Sequence, residues 1–274
     1  VQGLGMPLAA WPPEMIEALV SEGFRVVTFD NRDIGRSQIL NELGVPNMLW
    51  QVLRGKFRLK VKAPYRLTDM VRDTVGLLDG LDIDSAHVVG VSMGGMIAQL
   101  LAIHAPKRVR SLTSIMSSTG NRKLPGPSRA VRRHIVRGPK APTREARLAY
   151  HWQLWRLIGS PGFPLPDEEL TAFLERVFAR GMTAAGSARQ TLAILATSSR
   201  VADLQKLDVP TVVIHGDSDS LVPVECGIDT AKTIPGARIT IIEGMGHDLP
   251  MALLPRLVRL IAQHATASQA SAAA

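Results

Sequence analysis

The chain has 274 residues, of which 46% are hydrophobic and 4% are aromatic, so it can bury the core of a single large α/β domain. Its one cysteine, Cys226, excludes an intramolecular disulfide, and its seven histidines show no metal-ligand spacing. We therefore expect no metal and no other cofactor. The net charge is +8, but the few aromatic residues and the lack of a recognisable module argue against a nucleic-acid partner.

The predicted elements alternate between helix and strand. In chain order they are a helix over 11–22, a strand over 24–29, a helix over 67–81, a strand over 86–91, a helix after residue 92, and strands over 109–116, 211–214 and 238–243. This alternation is typical of a parallel sheet. No apolar run is long enough to span a membrane and no signal peptide is visible, so we expect a cytoplasmic location.

Residues 90–94 read Gly-Val-Ser-Met-Gly and lie between a predicted strand and a predicted helix. This context is typical of a nucleophile elbow. Side chains two positions on either side of the serine would collide in so tight a turn, which explains the two glycines. Ser92 is therefore the candidate nucleophile. The Met93 N–H, at the positive end of the helix dipole, is a candidate oxyanion donor.

Candidate partners for Ser92 follow two later strands. Asp217 and Asp219 come after the strand over 211–214, and His247 lies on a Gly-rich loop after the next strand. Functional residues concentrate at the carboxyl ends of strands in open α/β sheets. A serine hydroxyl needs a neutral imidazole to take its proton, and that imidazole needs a carboxylate to orient it. The residue types leave both aspartates open as the acid.

The order serine, acid, histidine and these motifs resemble the α/β-hydrolase fold family. The resemblance implies a mostly parallel sheet flanked by helices, with an inserted helical cap. It implies that Asp219, three residues after Gly216, is the triad acid and that His247 is the base. Residues 2–5, Gln-Gly-Leu-Gly, stand where the family has its oxyanion loop, so the Leu4 N–H is implied as the second oxyanion donor.

Further segments carry the resemblance. Residues 29–37 are similar to a structural segment of the family, with Asp33 where a glycine is usual. Residues 2–6, 63–65 and 244–250 resemble the aclacinomycin methylesterase-like branch. Haloalkane dehalogenases and epoxide hydrolases resemble the chain elsewhere but use aspartate as the nucleophile. The resemblance therefore implies ester hydrolysis, without specifying a polyketide substrate.

The strand pattern stops after residue 118. We therefore predict a core over 1–118, a helical cap over 119–200, a second part of the core over 201–264 and a disordered tail over 265–274. His151, Trp152 and Trp155 lie in the predicted cap. They are candidates for the walls of a pocket, although ordinary packing is the favoured interpretation.

Positive charge concentrates in two regions. Residues 121–200 hold 14 Arg and Lys against 5 Asp and Glu. A second group of basic residues alternates with apolar ones: Arg54, Lys56, Arg58, Lys60, Lys62 and Arg66. Either region can attract anionic substrates or contact an anionic lipid surface. A solvated face is the favoured interpretation of both.

We predict a serine hydrolase that cleaves small-molecule carboxylic esters through an acyl-enzyme. Ser92 is the nucleophile, His247 the general base and then acid, and Asp219 the residue that orients His247. Other reactions of the same triad stay open, namely C–C bond hydrolysis, acyl transfer and cofactor-free perhydrolysis. A ligand-binding receptor on a hydrolase scaffold is the alternative from a different class.

The resemblance also implies that N-terminal strands of the fold are missing ahead of Val1. We expect roughly 20 to 40 further residues upstream, enough for three strands and their turns. Without them, the segments over 26–29 and 86–91 are expected to border a gap with unpaired backbone groups. The 274-residue chain alone is expected to be poorly soluble and weakly active.

Overall fold

The computed structural model describes residues 1–45, 47–57 and 59–273. Within them, one sheet holds parallel strands in the spatial order β1-β2-β3-β4: β1 Ala86–Val91, β2 Val109–Ile115, β3 Thr211–Gly216 and β4 Arg238–Ile242. Every residue of β3 is buried, as expected for a parallel strand covered on both faces. Because the strands are parallel, the carboxyl ends of β1, β3 and β4 lie at one edge of the sheet.

The helices of the described residues connect and flank these strands. They are α1 Pro13–Ser21, α2 Met48–Lys56, α3 Leu67–Gly80, α4 Met93–His104, α5 Arg129–Arg137, α6 Arg144–Ile158, α7 Asp167–Arg180, α8 Ala184–Ala196, α9 Val201–Leu204, α10 Val224–Thr233 and α11 Leu254–Ala273. Short 3₁₀ turns cover Leu8–Ala10, Asn41–Leu43, Pro106–Arg108 and Met251–Leu253. Over the described ranges, none of the helices combines the length and hydropathy needed to cross a bilayer.

Two apolar clusters cover the two faces of the sheet. In the first, α3 and α4 pack on β1 and β2 through buried residues such as Met70, Ile97 and Leu112. In the second, α1 and α11 pack on the opposite face through residues such as Met15 and Leu257. The helix α4 begins directly after Ser92 and is buried along most of its length. This burial fixes the position of its first turn.

Four helices, α5 to α8, lie between β2 and β3 in the sequence, and residues 121–200 contain no strand. Side-chain oxygens of Thr143 and Thr183 accept hydrogen bonds from backbone N–H groups in the first turns of α6 and α8, which satisfies donors that would otherwise lack partners. Leu170, Leu174 and Val177 form the buried stripe of α7. These residues lie three or four positions apart, the spacing of an amphipathic helix.

The predicted strand over 24–29 is wrong, because these residues have no regular secondary structure. A cavity of about 580 Å³ lies between this segment and β1. Strand formation requires a neighbouring backbone at about 4.8 Å, and within the described residues the cavity separates the segment from β1. Residues 26–29 and β1 therefore border a gap, as expected from the sequence, and residues 24–29 form no strand because they lack a neighbouring backbone.

The predicted disordered tail over 265–274 is also wrong for the described residues, since α11 continues to Ala273. Ala265 and Ser268 are buried, and the Gln269 side-chain amide lies 3.0 Å from Nε2 of His87 on β1. The composition of this segment is rich in alanine, which has the highest helix propensity. Ala274 lies outside the described residues.

The basic segment over 54–66 includes the end of α2 and the loop after it. Arg58 lies outside the described residues, and the Lys56 side chain is not described. Arg54 donates from Nε to the Lys60 carbonyl at 3.1 Å, and Phe57 is largely exposed. The described part of this segment is therefore a solvent-facing surface.

Candidate active site

Ser92 occupies the turn between β1 and α4 with φ 55° and ψ −119°. Residues with side chains rarely adopt positive φ, so this turn holds strain. The Ser92 N–H donates to the Ile115 carbonyl at 2.9 Å, and Ser117 Oγ donates to the Ser92 carbonyl at 2.7 Å. These two hydrogen bonds hold the strained residue in place.

The glycines on either side of Ser92 are required by their surroundings. A β-carbon on Gly90 would lie 2.3 Å from the Gly94 carbonyl oxygen, and one on Gly94 would lie 2.1 Å from the carbonyl oxygen of Val1. Both distances are far below van der Waals contact. The steric reason given for the Gly-Val-Ser-Met-Gly motif therefore applies in this fold.

The structure brings Ser92, His247 and Asp219 into one hydrogen-bonded series. His247 Nε2 lies 3.0 Å from Ser92 Oγ, and His247 Nδ1 lies 2.6 Å from Asp219 Oδ2. Since an ionised carboxylate only accepts hydrogen bonds, Nδ1 carries the proton and Nε2 can accept one from Ser92. Ser92 follows β1, Asp219 follows β3 and His247 follows β4.

Asp217, the competing acid, points elsewhere. Its Oδ1 accepts hydrogen bonds from the Gly244 N–H at 2.8 Å and from Ser218 Oγ at 2.9 Å. Gly244 begins the loop that carries His247. Asp217 therefore shapes the histidine loop, whereas Asp219 contacts the imidazole.

Asp219 is buried, and its carboxylate is surrounded by donors. Its Oδ1 accepts from the Leu221 N–H at 2.9 Å and the Val222 N–H at 2.8 Å. Burial raises the pKa of Asp219, but the neighbouring His247 and the hydrogen bonds from His215, His247 and the Val222 N–H lower it more. The pKa of Asp219 therefore lies well below its ordinary value, and the group stays ionised.

His215, at the end of β3, is fully buried beside this acid. Its Nε2 donates to the Val222 carbonyl at 2.8 Å and lies 3.5 Å from Asp219 Oδ2. The ring packs so closely on Gly227 that a β-carbon there would lie 2.4 Å from Nδ1. His215 thus supports the acid loop, which agrees with its interpretation as a structural residue.

The backbone N–H groups of Leu4 and Met93 have no hydrogen-bond partner in the described part of the chain. Met93 begins α4, whose dipole favours negative charge at this end. A β-carbon on Gly3 would lie 3.3 Å from the Ser92 β-carbon, so the loop over 2–5 contacts the serine directly. The arrangement is suited to accepting a carbonyl oxygen as it becomes negative.

The histidine loop is held by the segment after α6. The His247 N–H donates to the Ile158 carbonyl at 2.7 Å, and the Gly246 N–H donates to Ser160 Oγ at 2.8 Å. Ser160 Oγ in turn donates to the Asp248 carboxylate. Burial raises the pKa of Asp248 above its ordinary value, against the opposing effect of the Ser160 hydrogen bonds. No local sequence pattern indicated Ser160.

Asp30 and Asp33 connect the core to the inserted helices. The Asp30 carboxylate accepts from the Leu8 and Arg36 N–H groups and pairs with Arg180 of α7 at 2.9 Å. Asp33 has φ 71° and forms a fully buried ion pair with Arg189 of α8 at 2.7 Å. The residue that departs from the usual glycine therefore retains a glycine-like conformation.

The candidate pocket residues His151, Trp152 and Trp155 contact other residues of the helices inserted between β2 and β3. Trp155 packs edge-on against Phe173 at 4.8 Å between ring centroids, and Trp152 lies under the Arg156 guanidinium. His151 packs edge-on against Phe178 at 5.4 Å. These contacts favour the packing interpretation for both tryptophans.

The sheet is parallel, a serine lies at a strand-to-helix turn, and an acid and a histidine follow later strands. This arrangement defines the class of hydrolases with a nucleophile elbow. A model of the family described as "alpha/beta hydrolase fold" matches residues 1–251. The chain belongs to this family. The predictions of the fold and of the family are thereby confirmed.

Curated relatives and solved structures agree with this assignment. Rhodomycin D methylesterase DnrP from Streptomyces peucetius is 30% identical over 98% of this chain and 90% of its own length. The putative carbamate hydrolase RutD from Azorhizobium caulinodans is 30% identical over 89% of this chain and 82% of its own length. The esterase RhEst1 from Rhodococcus sp. ECU1013 has the same fold, with a TM-score of 0.74 at 18% identity, over 97% of this chain and 88% of its own.

Proposed function

We propose that the protein is a serine hydrolase that cleaves small-molecule carboxylic esters through an acyl-enzyme. The single observation that carries the proposal is the hydrogen-bonded series from Ser92 Oγ through His247 to Asp219, together with two N–H groups that have no hydrogen-bond partner among the described residues. A nucleophile, a base, an orienting acid and an oxyanion site are the parts that acyl transfer needs.

The residues have the following roles in the reaction. Ser92 Oγ gives its proton to His247 Nε2 and attacks the ester carbonyl carbon. The carbonyl oxygen becomes an oxyanion that accepts hydrogen bonds from the Leu4 and Met93 N–H groups. Asp219 stabilises the imidazolium, which then protonates the departing alcohol and leaves the acyl group on Ser92.

The second half of the reaction uses the same groups. His247 takes a proton from a water molecule, which attacks the acyl carbonyl, and the oxyanion forms again at the Leu4 and Met93 N–H groups. His247 then returns the proton to Ser92 as the carboxylic acid leaves. Water as the acceptor distinguishes this proposal from acyl transfer by the same residues.

The relatives support an ester with a small alcohol part. The name of the protein from Streptomyces peucetius describes a methylesterase, and that protein matches nearly the whole chain. We therefore propose methyl esters of larger carboxylic acids as the first substrates to test. The net positive charge of residues 121–200 makes acids with further negative groups worth including in the panel.

The test is turnover of a panel of esters that varies the acyl and alcohol parts separately, starting from p-nitrophenyl and methyl esters. We expect the purified protein to hydrolyse several of them, and Ser92→Ala to abolish this turnover while it retains the wild-type thermal transition. A folded wild-type protein that binds esters without hydrolysing any of them would support the receptor alternative and overturn the proposal.

A further inference from the structure

Gln190 of α8 joins the loop over 2–5 to the inserted helices. Its side chain is fully buried. Its Oε1 accepts a hydrogen bond from the Gly5 N–H at 2.8 Å, and its Nε2 donates to the Arg32 carbonyl at 2.8 Å. The amide group therefore connects the loop over 2–5, the segment over 29–37 and α8.

The contact lies one residue from a proposed oxyanion donor. The Gly5 N–H belongs to the peptide unit that follows Leu4, so fixing it restricts rotation of the Leu4 backbone. Gly5 has φ 68°, and a β-carbon there would lie 2.8 Å from Ser187 Oγ. The helix α8 thus contacts this loop through both Gln190 and Ser187.

The helix itself is held firmly. Arg189, the residue before Gln190, forms the fully buried ion pair with Asp33 and also donates to the Gly44 carbonyl at 2.6 Å. A β-carbon on Gly186 would lie 2.1 Å from the Asp33 carbonyl oxygen, so helix and segment are in close contact. Gln190 is therefore anchored on a helix that has little freedom to shift.

We infer that Gln190 is a positioning residue that holds the Leu4 N–H toward the oxyanion formed on Ser92. The inference rests on the proposed function, because it assigns a support to the proposed oxyanion site. The helix α8, inserted between β2 and β3, then sets the position of the Leu4 N–H that stabilises the transition state. Gln190 itself contacts no reacting atom.

The test compares Gln190→Leu with Thr191→Ala, a matched change on the same helix. Among the described residues, the hydrogen bond of Thr191 Oγ1 stays within α8, to the Ser187 carbonyl at 2.8 Å. Since one oxyanion donor contributes about 10²–10³ in kcat, we expect Gln190→Leu to lower kcat about 10- to 100-fold, with KM within about threefold of wild type. Thr191→Ala is expected to keep wild-type values.

A second readout separates positioning from a structural role. An aryl trifluoromethyl ketone forms an oxyanion on a serine nucleophile, so its inhibition constant should rise in Gln190→Leu by about the same factor as kcat falls. Gln190→Glu keeps an acceptor for the Gly5 N–H and should retain more activity than Gln190→Leu. It also serves as the test variant if Gln190→Leu does not fold.

Wild-type kcat in Gln190→Leu, or a loss of kcat without weaker ketone binding, would overturn the inference. If Gln190→Leu does not fold, Gln190→Glu is compared with Thr191→Ala instead. Equal kcat and equal ketone binding in these two variants support the inference. A Gln190→Glu variant with no more activity than background overturns it. A wild-type protein without esterase activity would instead refute the proposed function, so the two failures are distinguishable.

Discussion

Asp219 differs from its neighbour Asp217 by what its carboxylate contacts. Asp219 accepts from His247 Nδ1, the Leu221 N–H and the Val222 N–H, whereas Asp217 accepts from Gly244 and Ser218. The two residues are separated by one position in the sequence. Their roles are therefore decided by the turn after β3, which directs only one carboxylate toward the imidazole.

We expect Asp219→Asn to lower kcat by roughly 10⁴, because the amide can donate to Nδ1 and so favour the wrong histidine tautomer. Asp217→Asn should lower kcat far less, since this side chain only shapes the loop that begins at Gly244. Steady-state kinetics on one ester measures both variants. A larger loss in Asp217→Asn would reverse the assignment of the acid.

His151 on α6 is partly buried, and its burial has a clear consequence for stability at different pH values. Burial, and then the positive charges of His134 and Arg147, lower the pKa of His151 to about 4. An unfolded histidine has a pKa of about 6.5. Between these values the unfolded state binds more protons, so His151 makes stability fall as the pH is lowered from about 6.5 to 4.

His151→Gln should therefore reduce the loss of thermal stability between pH 7 and pH 4.5. His104, which is exposed at the end of α4, offers the matched control His104→Gln, which should follow the wild-type pH dependence. Calorimetry at several pH values measures the difference. An unchanged pH dependence in His151→Gln would show that this histidine is not held neutral.

At the scale of elements, the inserted helices form ion pairs of very different exposure. The Asp33–Arg189 pair between the segment over 29–37 and α8 is fully buried. The Arg144–Glu175 pair between α6 and α7 is about half exposed. Exposed pairs contribute little, whereas a buried charge without its partner is strongly destabilising.

Arg189→Met should destabilise the protein by about 3–5 kcal/mol, because it leaves the Asp33 carboxylate buried without its partner. Adding Asp33→Gly should recover part of this loss, since glycine suits φ 71° at that position. Arg144→Met should change stability far less, because its pair with Glu175 is about half exposed to solvent. Urea unfolding checks all three, and equal effects of Arg189→Met and Arg144→Met would contradict the account.

Most helices and strands could be predicted from the sequence. The predictions failed at residues 24–29, which lack a neighbouring strand, and at the alanine-rich C-terminal segment. Strands β1 to β4 and helix α3 were predicted within one or two residues, because their apolar periodicity reflects burial against the sheet or the core. The segment over 24–29 has a strand-like composition but no adjacent backbone to pair with. The alanine-rich end of α11 was predicted to be disordered but is helical in the described residues.

At the scale of the whole molecule, the site assembles because parallel strands end at one edge. More than a hundred residues separate Ser92 from Asp219 in the sequence. Nevertheless, Ser92, Asp219 and His247 each follow a strand of the same sheet. This convergence is a property of the topology, so the motif residues could be predicted from the sequence.

The residues that support the site could not be predicted in the same way. Gln190 bonds to Gly5 across 185 positions, and Ser160 bonds to Gly246 across 86. Neither contact leaves a local pattern, because each depends on how the inserted helices pack over the sheet edge. Such contacts become visible only when the whole chain is folded.

The central claim is that Ser92 is the nucleophile. The most direct test is reaction with a fluorophosphonate probe, followed by intact-mass measurement and peptide mapping of the adduct. We predict one adduct per chain, on Ser92, and none in a folded Ser92→Ala variant, whose kcat should fall by roughly 10⁴ to 10⁶. An adduct on another residue, or labelling that persists in Ser92→Ala, would contradict the claim.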